Sequence, residues 1–215
     1  MANATMSSVI QIGGLSIQST LIRTEGAQQS AELTLPVAKE SVTWTYGTQT
    51  VTVATQTYIS AGQWADLFWY ADGVLQCRYG CDVVSVTPNG SNYDYVLANG
   101  SGTALPATPD DATVYLAPCA NVDMLFDGDQ IKAIAAHCDK GGHCLFKSFD
   151  GSGDQGDVHN QLLLPNEAWF YADEMGLTNP LAGVDVVNVV ASNLSTTVEA
   201  TFKLGILLDS DFIPS

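Results

Sequence analysis

The sequence predicts an all-β protein: two small antiparallel β-barrel or sandwich domains with an extended N-terminal arm. Three observations carry this. Apolar residues recur with period two through most of the 215-residue chain. β-Branched and aromatic residues fill many of those positions, and clusters of Gly, Asn, Asp and Pro separate the runs. No stretch shows the 3.6-residue periodicity of a long amphipathic helix.

Taken in order, Leu15, Ile17 and Leu21 alternate with Ser16, Gln18 and Thr20, and Leu33, Leu35 and Val37 repeat the pattern. In VTWTYGTQTVTV, Val42, Trp44 and Tyr46 share a face before a turn at Gly47-Thr48-Gln49, and Val51 and Val53 continue beyond it. DLFWYADGVLQCRYGCDVVSV reads as two strands around Ala71-Asp72-Gly73, since Asp-Gly between apolar runs is a strong hairpin signal. Pro88-Asn89-Gly90 marks a turn into the strand of Tyr93, Tyr95 and Leu97, and ATVYLAPC closes the series. IKAIAAHC fits a strand or one short helix; CLFKSF is strand-like and runs into the polar loop DGSGDQGDVHN. Leu162–Leu164, Trp169–Tyr171 and Val184–Ala191 read as strands. In the last one Val198, Ala200, Phe202, Leu204, Ile206 and Leu208 face a core while Thr197, Glu199, Thr201 and Lys203 face water. A turn at Ser192–Thr196 is expected to pair this strand with Val184–Ala191.

Residues 104–111 are rich in Pro and Asp but too short for an interdomain linker. The expected division is an arm with the first strands (1–41), a barrel or sandwich (42–118) and a second sandwich (119–215), with the boundary near Pro118-Cys119. Charge sharpens at that point. Residues 1–118 carry nine acidic and three basic residues, against fourteen and four in 119–215, for a net −16. Such a balance excludes non-specific binding to nucleic acid or an anionic membrane, which needs a basic face. No apolar run approaches the ~20 residues of a membrane helix. The N-terminus has neither a basic n-region nor a continuous apolar core, so the expectation is a protein kept in a reducing cytosol.

Candidate chemistry lies in two places. AAHCDKGGHCLF brings His137, Cys138, His143 and Cys144 around a turn, with Cys119 or His159 as possible completing ligands of a zinc site. Neighbours on a strand point to opposite faces, however, so at most one of each His-Cys pair can reach a common ion. The acidic surroundings also raise a thiol pKa and disfavour a catalytic Cys138 or Cys144. The favoured reading is a chain reversal between two core elements with reduced thiols. Cys77 and Cys81, beside a strand turn, read as small core residues. In DGSGDQGD, Asp150, Asp154 and Asp157 interleave with Gly and Ser as around a calcium ion, yet without EF-hand spacing or its bidentate Glu. Asp123, Asp127 and Asp129 raise the same question. No nucleophile elbow, P-loop or HExxH motif is present, and neither a catalytic residue nor a cofactor is implied.

The segments DLFWYADGVLQCRYGCDVVSV, VLANGSGTALPA and ATVYLAP resemble the first half of small virion structural proteins of tailed bacteriophages. TNPLAGVDVVNVVASN and TFKLGILLDS resemble the second half, so the similarity covers roughly residues 30–210. What the resemblance implies is a non-enzymatic virion protein made in the host cytoplasm. Its expected role is a capsid decoration or cement subunit on the lattice of the major capsid protein, and a homo-oligomer, because long flat strands pair across chains. Two alternatives accompany it: a head-to-tail adaptor or tail component, and a carbohydrate-binding attachment module using exposed Trp69 or Trp169.

Overall fold

The computed structural model describes residues 4–12, 15–23, 28–45, 50–56, 59–98, 113–148 and 157–209. Fifteen strands are found there: β1 (Ala4–Ile12), β2 (Leu15–Arg23), β3 (Gln28–Leu35), β4 (Lys39–Thr45), β5 (Thr50–Val53), β6 (Trp64–Ala71), β7 (Val74–Asn89), β8 (Asn92–Ala98) and β9 (Val114–Phe126) come first. They are followed by β10 (Ile131–Cys138), β11 (Gly142–Ser148), β12 (Asp157–Leu163), β13 (Ala168–Ala172), β14 (Val187–Asn193) and β15 (Ala200–Leu208). The protein is all-β, and among the described residues no helix is long and apolar enough to cross a membrane.

Six strands close into a barrel, in the order β9-β4-β5-β8-β7-β6 and back to β9. Closure happens at Leu116, which pairs with Lys39 on one side and Leu67 on the other. The interior is filled by Val51, Val53, Leu67, Trp69, Tyr95 and Leu116, as a barrel this small requires. The β6–β7 connection is the tight turn expected from Asp-Gly. Asp72 and Gly73 both have positive φ, 51° and 77°, the conformation that matches the twist of the flanking strands.

Beyond Pro118 the same strand continues into a sandwich. β9 pairs with β14 through Cys119–Phe126, extending a sheet ordered β12-β11-β14-β9. A second sheet, β13-β10-β15-β3, faces it. Phe126, Phe146 and Val189 of the first meet Ile134, Phe202 and Ile206 of the second in one core. IKAIAAHC is thus a strand. β15 alternates as its sequence requires, with Ala200, Phe202, Leu204, Ile206 and Leu208 buried and Lys203 exposed.

Two local expectations are corrected. β15 does not pair with β14; it pairs with β10 and β3, and β14 lies in the opposite sheet. Every residue of β14 is buried, because β14 is flanked by β11 and β9 and covered on both faces. The intervening segment is therefore an arch between sheets. Asn193 holds it: its Nδ2 donates to the Val198 carbonyl at 2.8 Å and its Oδ1 accepts from the Ser195 amide. The second correction concerns Asp157–Asn160, expected in a loop, which instead begin β12. The Asn179-Pro180-Leu181 corner is tied down too, Asn179 Nδ2 donating to the Gly128 carbonyl at 2.8 Å.

Candidate functional site

The barrel sits on the outer face of the sandwich sheet, and the strand period decides what meets there. Along β6, Ala65, Leu67 and Trp69 point into the barrel, so Asp66 points out of it. Along β11, Cys144 and Phe146 enter the sandwich core, which turns His143, Leu145 and Lys147 toward the barrel. Ser192 of β14 projects the same way. Asp66 is wholly buried and His143 is 1% exposed.

Asp66 is the hub of this junction. Its Oδ1 accepts from the Gly80 amide at 2.7 Å. Its Oδ2 accepts from the Ser192 hydroxyl and from His143 Nδ1, the latter at 3.0 Å. A carboxylate can only accept, so Nδ1 carries the proton. Burial pushes the Asp66 carboxyl up, but His143, Ser192 and the Gly80 amide outweigh it and hold the group below the usual carboxylate range. Gly80 stands in a bulge: Ala65 pairs with Cys81 but Leu67 with Arg78, which leaves β7 with extra residues opposite Asp66. Beside the hub, Lys147 is 1% exposed. Its Nζ donates to Asp157 Oδ1 at 2.8 Å and lies 5.3 Å from the centre of the Trp64 ring, a stabilising place for a cation.

An Asp, a His and a Ser in contact invite comparison with a hydrolytic triad, but the wiring differs. In a triad the serine proton goes to the imidazole; here the single Ser192 proton goes to Asp66. Neither of the two surface grooves described below is lined by Asp66, His143 or Ser192. The three side chains join barrel strand β6 to sandwich strands β11 and β14.

The four residues of the His-Cys stretch are dispersed by strand alternation. Cys138 and Cys144 enter the sandwich core. His143 faces Asp66, and half-buried His137 lies on the outer face of the second sheet. Among the described residues, no group of three His, Cys, Asp or Glu is placed to hold a metal ion. Asp157 is engaged with Lys147, while Asp150 and Asp154 lie outside the described residues. Asp127 accepts from the Asp129 amide and Asp129 from the Gly183 amide, so both carboxylates tie turns together. His159 stacks on Trp169, ring centres 5.5 Å apart, and burial pulls its pKa down.

All five cysteines are free thiols. Burial first, then the neighbouring Asp66 charge, pushes Cys81 up to about 12 and Cys119 and Cys144 well above their ordinary value. A thiol in that state is a poor nucleophile. In native protein at pH 8, iodoacetamide should therefore modify half-buried Cys77 first, with the other four protected until denaturant is added. Peptide mass spectrometry reads this directly, and fast native labelling of Cys144 would contradict the burial described.

Among the described residues, two shallow grooves stand out on the surface. One, on the outer face of the second sheet, is lined by small residues such as Ala135, Ala168 and Gly205. The other, about 390 Å³, runs between the barrel wall and the sandwich end. Tyr70, Leu75 and Tyr115 form one side, Leu164 and Pro165 the other, and Leu194 the floor. Phe68 stacks on Tyr115 at 5.0 Å and 19°, which packs the barrel wall behind the groove. Its rim exposes Tyr70 (56%) and Leu164 (51%). Its lysine, Lys140, is paired with Asp139 at 3.3 Å. The exposed tryptophan that the carbohydrate-binding alternative calls for is not found at Trp69, which is 2% exposed inside the barrel; Trp169 is half-buried. Sequence reading missed both Asp66 and the groove. A lone acid inside the apolar run WADLFWY was the available signal for the first.

Comparison with protein-family models, curated proteins and solved structures found no match to this chain.

Proposed function

We propose that this chain is a non-enzymatic structural subunit of a bacteriophage virion, binding the major capsid protein lattice as a decoration or cement protein. The observation that carries the reading is the apolar groove, walled by the barrel on one side and the sandwich end on the other. Its two walls are held in fixed relation by the Asp66 junction and by β9, so the groove presents a preformed surface. A preformed surface loses less entropy on association than a flexible one. Aromatic anchors such as Tyr70 in a cleft are the residue type that dominates binding energy. The chain's net charge of −16 suits a partner with a basic surface and disfavours packaged DNA. Asp66, His143 and Ser192 are buried together between barrel and sandwich, and this reading takes them as packing.

The test uses particles and purified chain together. Quantitative mass spectrometry of phage particles should find copies at parity with, or a simple fraction of, the main shell subunit. A handful of copies would favour a neck or tail position, and absence from particles would end the virion reading. Tyr70→Asp should weaken binding to shells about 30-fold, the effect of losing a hot spot of ~2 kcal/mol. Thermal stability should stay within about 0.5 kcal/mol, since Tyr70 is exposed.

A further inference from the structure

Asn89 and Gly90 stand at the tip of the β7–β8 hairpin, and both are exposed. The two strands pair down to Asn89↔Asn92, which leaves Gly90 and Ser91 as a two-residue turn. Gly90 has φ of +63° and open space where a Cβ would stand. Lying outside the ladder, its amide nitrogen is not tied to a strand partner, and no side chain of its own shields that nitrogen from the Asn89 amide. Among the described residues Asn89 is the one asparagine followed by glycine. Asn188 and Asn193 are buried, and every other described asparagine precedes a residue that carries a side chain.

What Asn89 holds gives a change there its consequence. Its Nδ2 donates to Asp94 Oδ2 at 3.0 Å, and Asp94 Oδ1 accepts from Thr52 Oγ1 at 2.6 Å. Asp94 lies opposite Thr52 of β5 and Thr87 of β7. Asn89, two residues beyond Thr87, shares its face and sits diagonally to Asp94. One carboxylate thus ties β5, β8 and the end of β7 together on the barrel wall. We infer that Asn89-Gly90 is a self-modifying site, at which loss of the Asn89 amide cuts this tie. The Gly90 nitrogen attacks Asn89 Cγ and forms a new N–C bond. The Cγ–Nδ2 bond breaks, the Gly90 amide proton is carried off with the leaving group, and ammonia departs. Water then opens the succinimide ring at one carbonyl or the other, giving aspartate or isoaspartate. No oxidant or cofactor enters. Either product removes the Nδ2 donor and adds a negative charge at this corner, and aspartate sets that charge against Asp94, which is destabilising on one sheet face. The barrel therefore carries a one-way chemical timer. The site is separate from the groove and independent of the virion reading.

The experiment ages the full-length chain in mildly alkaline buffer, with peptide mass spectrometry and the thermal midpoint followed together. It is run in an Asn99→Gln background, which removes the other Asn-Gly pair of the sequence. Asn89 should convert ahead of every other described asparagine, and Tm should fall as it does. Freshly made Asn89→Asp should already show that fall, about 2–4 °C for one lost hydrogen bond in a chain of this size. Combining Asn89→Asp with Asp94→Asn exchanges donor and acceptor. The amide at position 94 then donates to the carboxylate at position 89 and still accepts from Thr52, so Tm should recover. Asn89→Gln, whose side chain would have to close a larger ring, should keep its midpoint on ageing. An Asn89 that stays intact would overturn the inference. So would a conversion that leaves Tm unchanged, or an exchange that restores nothing.

Discussion

Replacing Asp66 with alanine should lower the stability of the protein by about 3–5 kcal/mol, the range for removing one partner of a buried, hydrogen-bonded charge. Three donors lose their acceptor at once: the Gly80 amide, His143 Nδ1 and the Ser192 hydroxyl. Each buried donor without a partner costs about 1–3 kcal/mol, and three around one atom group do not add. For a chain this long the loss corresponds to a fall in Tm of roughly 6–20 °C. Asp66→Asn should cost less, because an amide oxygen still accepts one N–H while its NH2 opposes the proton on His143. The pH dependence separates the two effects. Because the folded Asp66 carboxyl lies below its ordinary 3.8, its contribution is fully present above that value and is lost as pH falls through the folded pKa. Urea titrations at pH 7 and at successively lower pH should therefore show the gap between wild type and Asp66→Ala narrowing in acid. A loss under 1 kcal/mol at pH 7 would mean that apolar packing alone holds barrel to sandwich.

Gly80→Ala should be nearly as severe, at about 2–5 kcal/mol. Gly80 has φ of +54°, which strains any residue with a Cβ by about 1–2 kcal/mol. An added Cβ would lie 2.5 Å from Leu145 Cδ2 and 3.2 Å from Lys147 Nζ. Forcing extra volume into a packed contact adds about 1–3 kcal/mol. Gly62 provides the internal control. Its φ is +85° with nothing within 4 Å of a built Cβ, so Gly62→Ala should cost only the strain. The difference between the two, measured by denaturant unfolding, isolates the contact between barrel and sandwich. Equal losses would show that the junction yields to accommodate a methyl group.

How much of this was legible depended on the range of the interaction. Period two places Phe202 inside and Lys203 outside, and Asp72-Gly73 specifies its own turn, because these preferences are settled within a few residues. Pairing partners are not. Nothing in the alternation of β15 says that its neighbours are β10 and β3 rather than β14, and the short spacing to β14 pointed the wrong way. The barrel closure at Leu116 is a choice between distant strands of similar character. The site was hidden for the same reason. Asp66 stands out as an acid in an apolar run, but its partners His143 and Ser192 lie 77 and 126 residues further on. The His-Cys stretch was conspicuous in sequence because its residues are adjacent, and the strand geometry then separates them.

The path of β9 through both halves has a consequence for biosynthesis. All six barrel strands lie within residues 39–118 of the pairing register, so the ring can shut while the ribosome is still making the sandwich. β3 is in the opposite position. It is translated before the barrel, yet the strand it pairs with is β15, joined from Gln28↔Leu207 to Leu35↔Ala200. An unpaired β-edge must therefore wait through about 165 residues of synthesis, the circumstance in which exposed strands recruit one another. Nascent chains on crowded polysomes are exposed to that hazard, and chaperone demand should fall mainly on the interval after the barrel has closed and before β15 emerges.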